Sequence, residues 1–229
     1  MGLQSKIEWT DRTFNGWWGC TKVSPACANC YADSMSKRFG HNVWGPSAPR
    51  RWLSEDNWKL PTKWNAEAER KGINIKVFCS SMSDVFEERD DLDEHRSRLF
   101  NIIEDTPFLT WQLLTKRPEN IERMIPAEWN TNGWPSNVWI GTTIENQEWA
   151  DRRLPILLSL PAAKRFVSAE PLLGSIDLTK YLTDPKLLPL DWLIDGGESG
   201  PKSRVTAYDW FRELRDQCAV HGIAYFHKQ

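Results

Sequence analysis

Three of the five cysteines in this 229-residue chain, Cys20, Cys27 and Cys30, fall on one glycine-flanked stretch running from Gly16 to Ala32. Three thiolates on one short loop can hold three corners of an iron–sulfur cubane and leave the fourth iron for an outside ligand, whereas a closed structural zinc site needs a fourth protein ligand. Cys27 and Cys30 stand at the C-x-x-C spacing that lets two sulfurs converge on one centre, and Gly19, Ser24 and Pro25 allow the loop that leads to them to turn. A dithiol redox pair and a zinc site completed from elsewhere are the alternative chemistries for the same residues. Cys79 lies inside an apolar run and Cys218 on an apolar helical stripe, so both read as core thiols, and the four histidines form no metal spacing. Glu87, Glu88, Asp90, Asp91, Asp93 and Glu94 read as a solvated acidic helix start.

A second constellation is spread along the chain. Each of five short apolar runs is followed by polar residues: Ser80 to Asp84; Thr115, Lys116 and Arg117; Thr142 to Asn146; Ser168, Ala169 and Glu170; and Asp195 to Pro201 with Ser203 and Arg204 beyond. A ring of Ser, Thr, Asp, Glu, Lys and Arg at successive strand ends suits a polar ligand carrying carboxylate, amine and hydroxyl groups. Helix capping is the alternative for Ser83, Asp84 and Asn146. Lys116 and Glu170 fit that alternative poorly, because each would point a charge into the mouth formed by the strand ends.

The elements that must position these groups follow from the periodicity. Ile75–Cys79, Leu109–Leu114, Val138–Thr142, Lys164–Ser168, Trp192–Asp195 and Ile223–Phe226 are β-prone runs, with a first short strand expected over Ile7–Asp11. Helical patterns fill Tyr31–Phe39, Leu92–Asp105, Pro118–Met124, Asn146–Leu158 and Tyr208–His221. Strands alternating with helices predict parallel βαβ units, and hence an α/β fold in one domain spanning 1–229: a partial (β/α) TIM-like barrel whose chemistry lies at the C-terminal strand ends. No Gly-x-Gly-x-x-Gly follows any strand. Residues at about 41–65 interrupt the rhythm as an irregular insertion. There Arg50, Arg51, Lys59, Lys63 and His41 interleave with Trp44, Trp52, Trp58 and Trp64, a pattern open both to gripping a polyanion and to ordinary packing.

A formal net charge of −2 gives no global attraction to nucleic acid, so such binding must rest on local patches. The N-terminal Met1 to Lys6 has no apolar core of a signal peptide, and no apolar run is long enough to span a bilayer, so the expected setting is cytoplasmic, without a membrane partner.

The cysteine loop from Gly19 to Ala32, with Ser81-Met82-Ser83-Asp84 and Thr115-Lys116, resembles the radical S-adenosylmethionine superfamily. More narrowly, it is similar to the phage-associated three-cysteine-motif family of the DUF5131 type and to spore-photoproduct-lyase-like enzymes. The resemblance implies that Cys20, Cys27 and Cys30 hold a 4Fe-4S cluster that binds S-adenosylmethionine and cleaves it to a 5′-deoxyadenosyl radical. Tyr31 would then pack near the adenine or the cluster, Ser81, Ser83 and Asp84 would hold the methionine or ribose, Lys116 would pair with the methionine carboxylate, and Glu170 would join this cofactor set. It further implies a DNA, RNA or nucleotide substrate, for which Arg50, Arg51, Arg117, Glu198 and Arg204 are the candidate contacts. An external electron donor and a protein partner encoded nearby complete the expected partners. The spacing departs from the superfamily's C-x3-C-x2-C, being C-x6-C-x2-C here, and Gly196-Gly197-Glu198 comes several strands later than the superfamily's Gly-Gly-Glu. No residue is assigned as catalytic. A zinc- or cluster-stabilised nucleic-acid-binding or partner-binding module without radical catalysis is the competing expectation.

Overall fold

The structure, a computed structural model, describes residues 5–200 and 202–228; part of the N-terminal stretch used above against export, Met1 to Gln4, lies outside them. Nine strands are present among the described residues: β1 (Arg12–Phe14), β2 (Trp17–Trp18), β3 (Arg51–Trp52), β4 (Ile75–Cys79), β5 (Leu109–Thr115), β6 (Val138–Thr143), β7 (Lys164–Ala169), β8 (Trp192–Gly196) and β9 (Ala224–Lys228). Seven of them form one all-parallel sheet in the order β1-β4-β5-β6-β7-β8-β9, a half-barrel of the expected α/β kind. Chain order and sheet order agree, as short right-handed crossovers require. β2 and β3 pair antiparallel as a separate ribbon, Trp17 opposite Trp52 and Trp18 opposite Arg51.

The helices are α1 (Tyr31–Arg38), α2 (Glu55–Trp58), α3 (Leu60–Lys71), α4 (Asp93–Glu104), α5 (Ile121–Met124), α6 (Ala127–Asn132), α7 (Gln147–Leu157), α8 (Thr179–Leu182) and α9 (Tyr208–His221). Alternation along the strands separates two apolar clusters. Val77, Trp111, Leu113, Ile140, Val167 and Leu193 belong to the large core with the helices, whereas Phe78, Phe166 and Ile194 point to the opposite, concave face and pack there with Trp9. Gly141 is required on that concave face, since a Cβ there would stand 2.5 Å from the Phe166 ring.

Two expectations are corrected. Ile7–Asp11 is not a strand; the first strand is Arg12–Phe14, and Trp9 instead plugs the concave face, with its ring 4.7 Å from Phe78 and 5.8 Å from Trp192. The stretch at 41–65 is irregular only as far as Arg50, beyond which β3, α2 and the start of α3 follow. Pro61 falls in the first turn of α3, where a missing N–H costs nothing, and Gly72 closes that helix in the left-handed conformation at φ 63°. No helix among the described residues is long and apolar enough to cross a membrane.

Candidate functional site

The ribbon strand β2 delivers the chain to Gly19, whose N–H donates to the Met82 carbonyl at 2.9 Å and which pairs with Ser83 beyond the end of β4. Buried Asn15 braces the same junction, accepting from the Met82 N–H at 2.8 Å and donating to Ser81 Oγ at 3.1 Å. The cysteine loop starts there and makes a single 3-10 turn over Pro25–Cys27 before α1. Its three thiols are free, partly exposed, and line one cavity of about 390 Å³ together with the ends of β4 to β8. That volume is in the range of small-molecule pockets.

Three acid–arginine pairs strap the loop to the sheet. Arg117, following β5, donates to Asp84 at 2.9 Å, to the Thr21 carbonyl at 2.6 Å and to Cys20 Sγ at 3.5 Å. Glu145, following β6, is fully buried; one oxygen accepts the Ala26 N–H at 3.1 Å and the other accepts from Arg153 of α7 at 2.9 Å. Glu198, following β8, accepts from Asn29 at 2.9 Å and from Arg204, which in turn donates to the Pro25 carbonyl at 2.9 Å. Arg204, and then Asn29, hold the Glu198 carboxyl down to about 2. Burial pushes the Cys20 thiol up to about 12, Asp84 adds to the rise, and Arg117 opposes it.

Facing the loop across the cavity are groups that the protein leaves without partners. The Ser83 and Thr143 hydroxyls are buried without a hydrogen bond, and the Lys116 ammonium makes no ion pair or hydrogen bond among the described residues. Tyr31 lies along the wall with its hydroxyl donating to the Ser81 carbonyl at 2.8 Å. Glu170, after β7, forms an ion pair at the rim with Lys228, the last residue of β9.

A family model described as "Protein of unknown function (DUF5131)" matches residues 4–229. The chain belongs to that family. No curated protein matches this DUF5131 member in sequence. Among solved structures, it is similar to spore photoproduct lyase complexed with dinucleoside spore photoproduct, at 13% identity and TM-score 0.62 over 98% of this chain and 79% of that one. A substituted form of that lyase with bound AdoMet and dinucleoside spore photoproduct gives 13% identity and TM-score 0.61, covering 97% and 78% of the two chains. A tyrosine-to-phenylalanine variant of the lyase gives 12% and 0.63, covering 98% and 78%. The shared property at these identities is the fold, a parallel α/β half-barrel.

In this DUF5131 protein the expected cofactor set, Tyr31, Ser81, Ser83, Asp84, Lys116 and Glu170, does gather on the cavity of the three thiols. Asp84 is there in another capacity. Its oxygens accept from Thr115 Oγ1 at 2.7 Å, from the Phe86 and Lys116 N–H groups at 3.0 and 3.1 Å, and from Arg117, so it anchors strand ends to one another. The expected substrate contacts mostly face inward. Arg50 is buried, bidentate to Glu87 at 2.7 and 3.0 Å, and holds Thr21 and the Val43 carbonyl. Glu87 is therefore not part of a solvated acidic run: a buried guanidinium needs a carboxylate. Arg117 is likewise buried against Asp84. Arg51 stacks over Trp18 at 4.6 Å, while Glu198 and Arg204 strap the cysteine loop. Cys79 and Cys218 are core thiols, both fully buried. Glu145, Arg153, Thr143 and Lys228 were not singled out from the sequence. Glu145 and Thr143 stand in a quoted strand-end motif; Arg153 looks like any solvent-facing helix residue, and only its burial reveals it.

Proposed function

We propose that this DUF5131 protein is a radical S-adenosylmethionine enzyme, with a 4Fe-4S cluster on Cys20, Cys27 and Cys30 and a nucleotide or nucleic-acid substrate. The observation that carries the reading is the meeting, in one cavity, of three free thiols with uncommitted hydroxyl and ammonium groups at parallel strand ends. Three thiolates without a fourth protein ligand suit a cluster that keeps one iron open. Zinc suits the donors less well, since among the described residues no three Cys, His, Asp or Glu side chains are arranged to hold a single ion. When bound, the cluster would supply the electron that breaks the S–C5′ bond of the cofactor.

The chain's own residues bind and enclose. Lys116 offers an unpaired ammonium for a carboxylate, Ser83 and Thr143 offer hydroxyls for polar atoms of the same ligand, and Tyr31 offers an aromatic wall. The Glu170–Lys228 pair at the rim would meet a substrate or a ribose hydroxyl. A nucleotide or polynucleotide is supported by the neighbours solved with a dinucleoside spore photoproduct, and by Lys202, whose ammonium group forms no ion pair among the described residues.

The test is anaerobic reconstitution with iron and sulfide, followed by addition of S-adenosylmethionine and dithionite. Expected are about four iron and four sulfide per chain and release of methionine and 5′-deoxyadenosine. One zinc with no sulfide would establish the structural-metal alternative, and a cluster that leaves the cofactor intact would sink radical catalysis.

A further inference from the structure

The helix after the cysteine loop is built inside out. A surface helix ordinarily turns its apolar stripe to the core. α1 instead buries Ala32, Asp33 and Ser36 and leaves Tyr31 and Met35 exposed at 47% and 41%, with Phe39 at its C-cap exposed at 61%. Positions four residues apart share a stripe, so Met35 and Phe39 carry outward a line that Tyr31, the residue next to Cys30, starts at the cavity mouth. The line continues across the β2–β3 ribbon, where the Phe39 ring lies 6.1 Å from Trp18 and the Arg51 guanidinium covers Trp18 at 4.6 Å.

Basic side chains outnumber acidic ones along the line. Lys22, Lys37, Arg38 and Arg51 flank it, and the one carboxylate of α1, Asp33, is buried and already met by Lys37 at 2.9 Å and Lys22 at 3.6 Å. An apolar centre with a basic rim fits a protein of acidic surface. Nucleic-acid interfaces are more polar and more strongly cationic than this, with its Met and Phe centre and two lysines partly neutralised. The line starts beside Cys30, a thiol of the site, so a protein seated on it lies next to the cysteine loop.

We propose that the exposed face of α1, with the adjoining Trp18/Arg51 edge, is the docking surface of an acidic one-electron carrier protein. The inference rests on the cluster reading above. One electron passes from the reduced carrier to the cluster on Cys20, Cys27 and Cys30; the carrier leaves oxidised, and no bond or proton is transferred.

An acidic flavodoxin serves as the probe. Its affinity for the anaerobically prepared protein is measured at low and high salt by calorimetry, for the unaltered chain, for Met35→Glu combined with Phe39→Glu, and for Arg38→Glu. Cleavage of S-adenosylmethionine is followed in parallel with flavodoxin or dithionite as reductant. The double variant should bind flavodoxin about tenfold more weakly or worse, as loss of an interface centre does, and Arg38→Glu should weaken binding and flatten its salt dependence. Flavodoxin-driven cleavage should fall in step while dithionite-driven cleavage holds. The proposal is overturned if flavodoxin fails to bind the unaltered chain, or if it binds the double variant equally well. It is also overturned if the double variant loses a dimer or single-stranded DNA binding while keeping flavodoxin. If dithionite yields no 5′-deoxyadenosine from the unaltered chain, radical catalysis fails, and the affinity comparison still decides the surface.

Discussion

The environment of each cysteine separates site thiols from core thiols. Cys20 is touched by Arg117 and lines the cavity, whereas Cys79 and Cys218 are sealed in the core, away from it. Serine at Cys20, Cys27 or Cys30 should each lower iron and sulfide content of the reconstituted protein sharply, whereas Cys218→Ser should leave it intact. A thiol-redox role for Cys27 and Cys30 alone would be indicated by full function after loss of Cys20. Glu145 carries a separate expectation, because it holds both the loop amide at Ala26 and the buried Arg153, whose Nε and Nη2 already lack partners. Glu145→Ala leaves that guanidinium uncompensated and should cost about 3–5 kcal/mol in urea unfolding. Cluster retention should fall with it; unchanged stability would remove the strap from the account. Glu198 is sensitive to acid: its folded value lies near 2 against an ordinary 4.5, so the stability it contributes is present above pH 4.5 and is lost as the pH falls toward 2. Glu198→Gln should therefore unfold with a weaker dependence on pH across that window.

At the scale of elements, the cysteine loop is placed by its entry. Gly19 has φ 116°, and a Cβ there would stand 2.4 Å from the Val43 carbonyl oxygen and 2.8 Å from Arg50. Gly19→Ala should cost about 1–3 kcal/mol in backbone strain alone, to which the backbone clash adds, and should displace Cys20. Iron content after reconstitution, compared with that of Gly40→Ala, whose Cβ would meet nothing within 4 Å, separates displacement from strain. The parallel strands and their polar C-terminal residues were legible in the sequence, because β-prone runs at regular intervals leave few alternatives. β4 to β9 lie close to their expected positions. The first strand was not, since three residues set between Trp9 and the Trp17–Trp18 pair carry no period of their own. α3 was hidden by Pro61, which reads as a breaker until its place in the first turn is known.

At the scale of the molecule, a chain of net charge −2 with Arg50 and Arg117 turned inward leaves a nucleic acid only a few side-chain cations to meet beside the cavity. Single-stranded DNA or RNA should bind with a shallow salt dependence, a log–log slope of about −2 or flatter, corresponding to two or three phosphate contacts. A steep slope would indicate a basic surface other than the one described. Arg50→Ala should act on folding, by stranding Glu87, before it acts on nucleic-acid affinity, and thermal melting beside a binding titration distinguishes the two.

The sequence by itself determined the thiol triad, the α/β alternation and the strand-end ring, because each depends on local spacing or on short-range period. Which ring members stay free was decided only by tertiary structure. Among the described residues, Lys116, Ser83 and Thr143 are left without partners while Asp84 and Arg117 are consumed by an ion pair, since pairing depends on which strand ends meet. The exposed face of α1 was equally invisible: Tyr31, Met35 and Phe39 have the spacing of a core stripe, and only the packing of Ala32, Asp33 and Ser36 beneath them shows that the helix turns it outward.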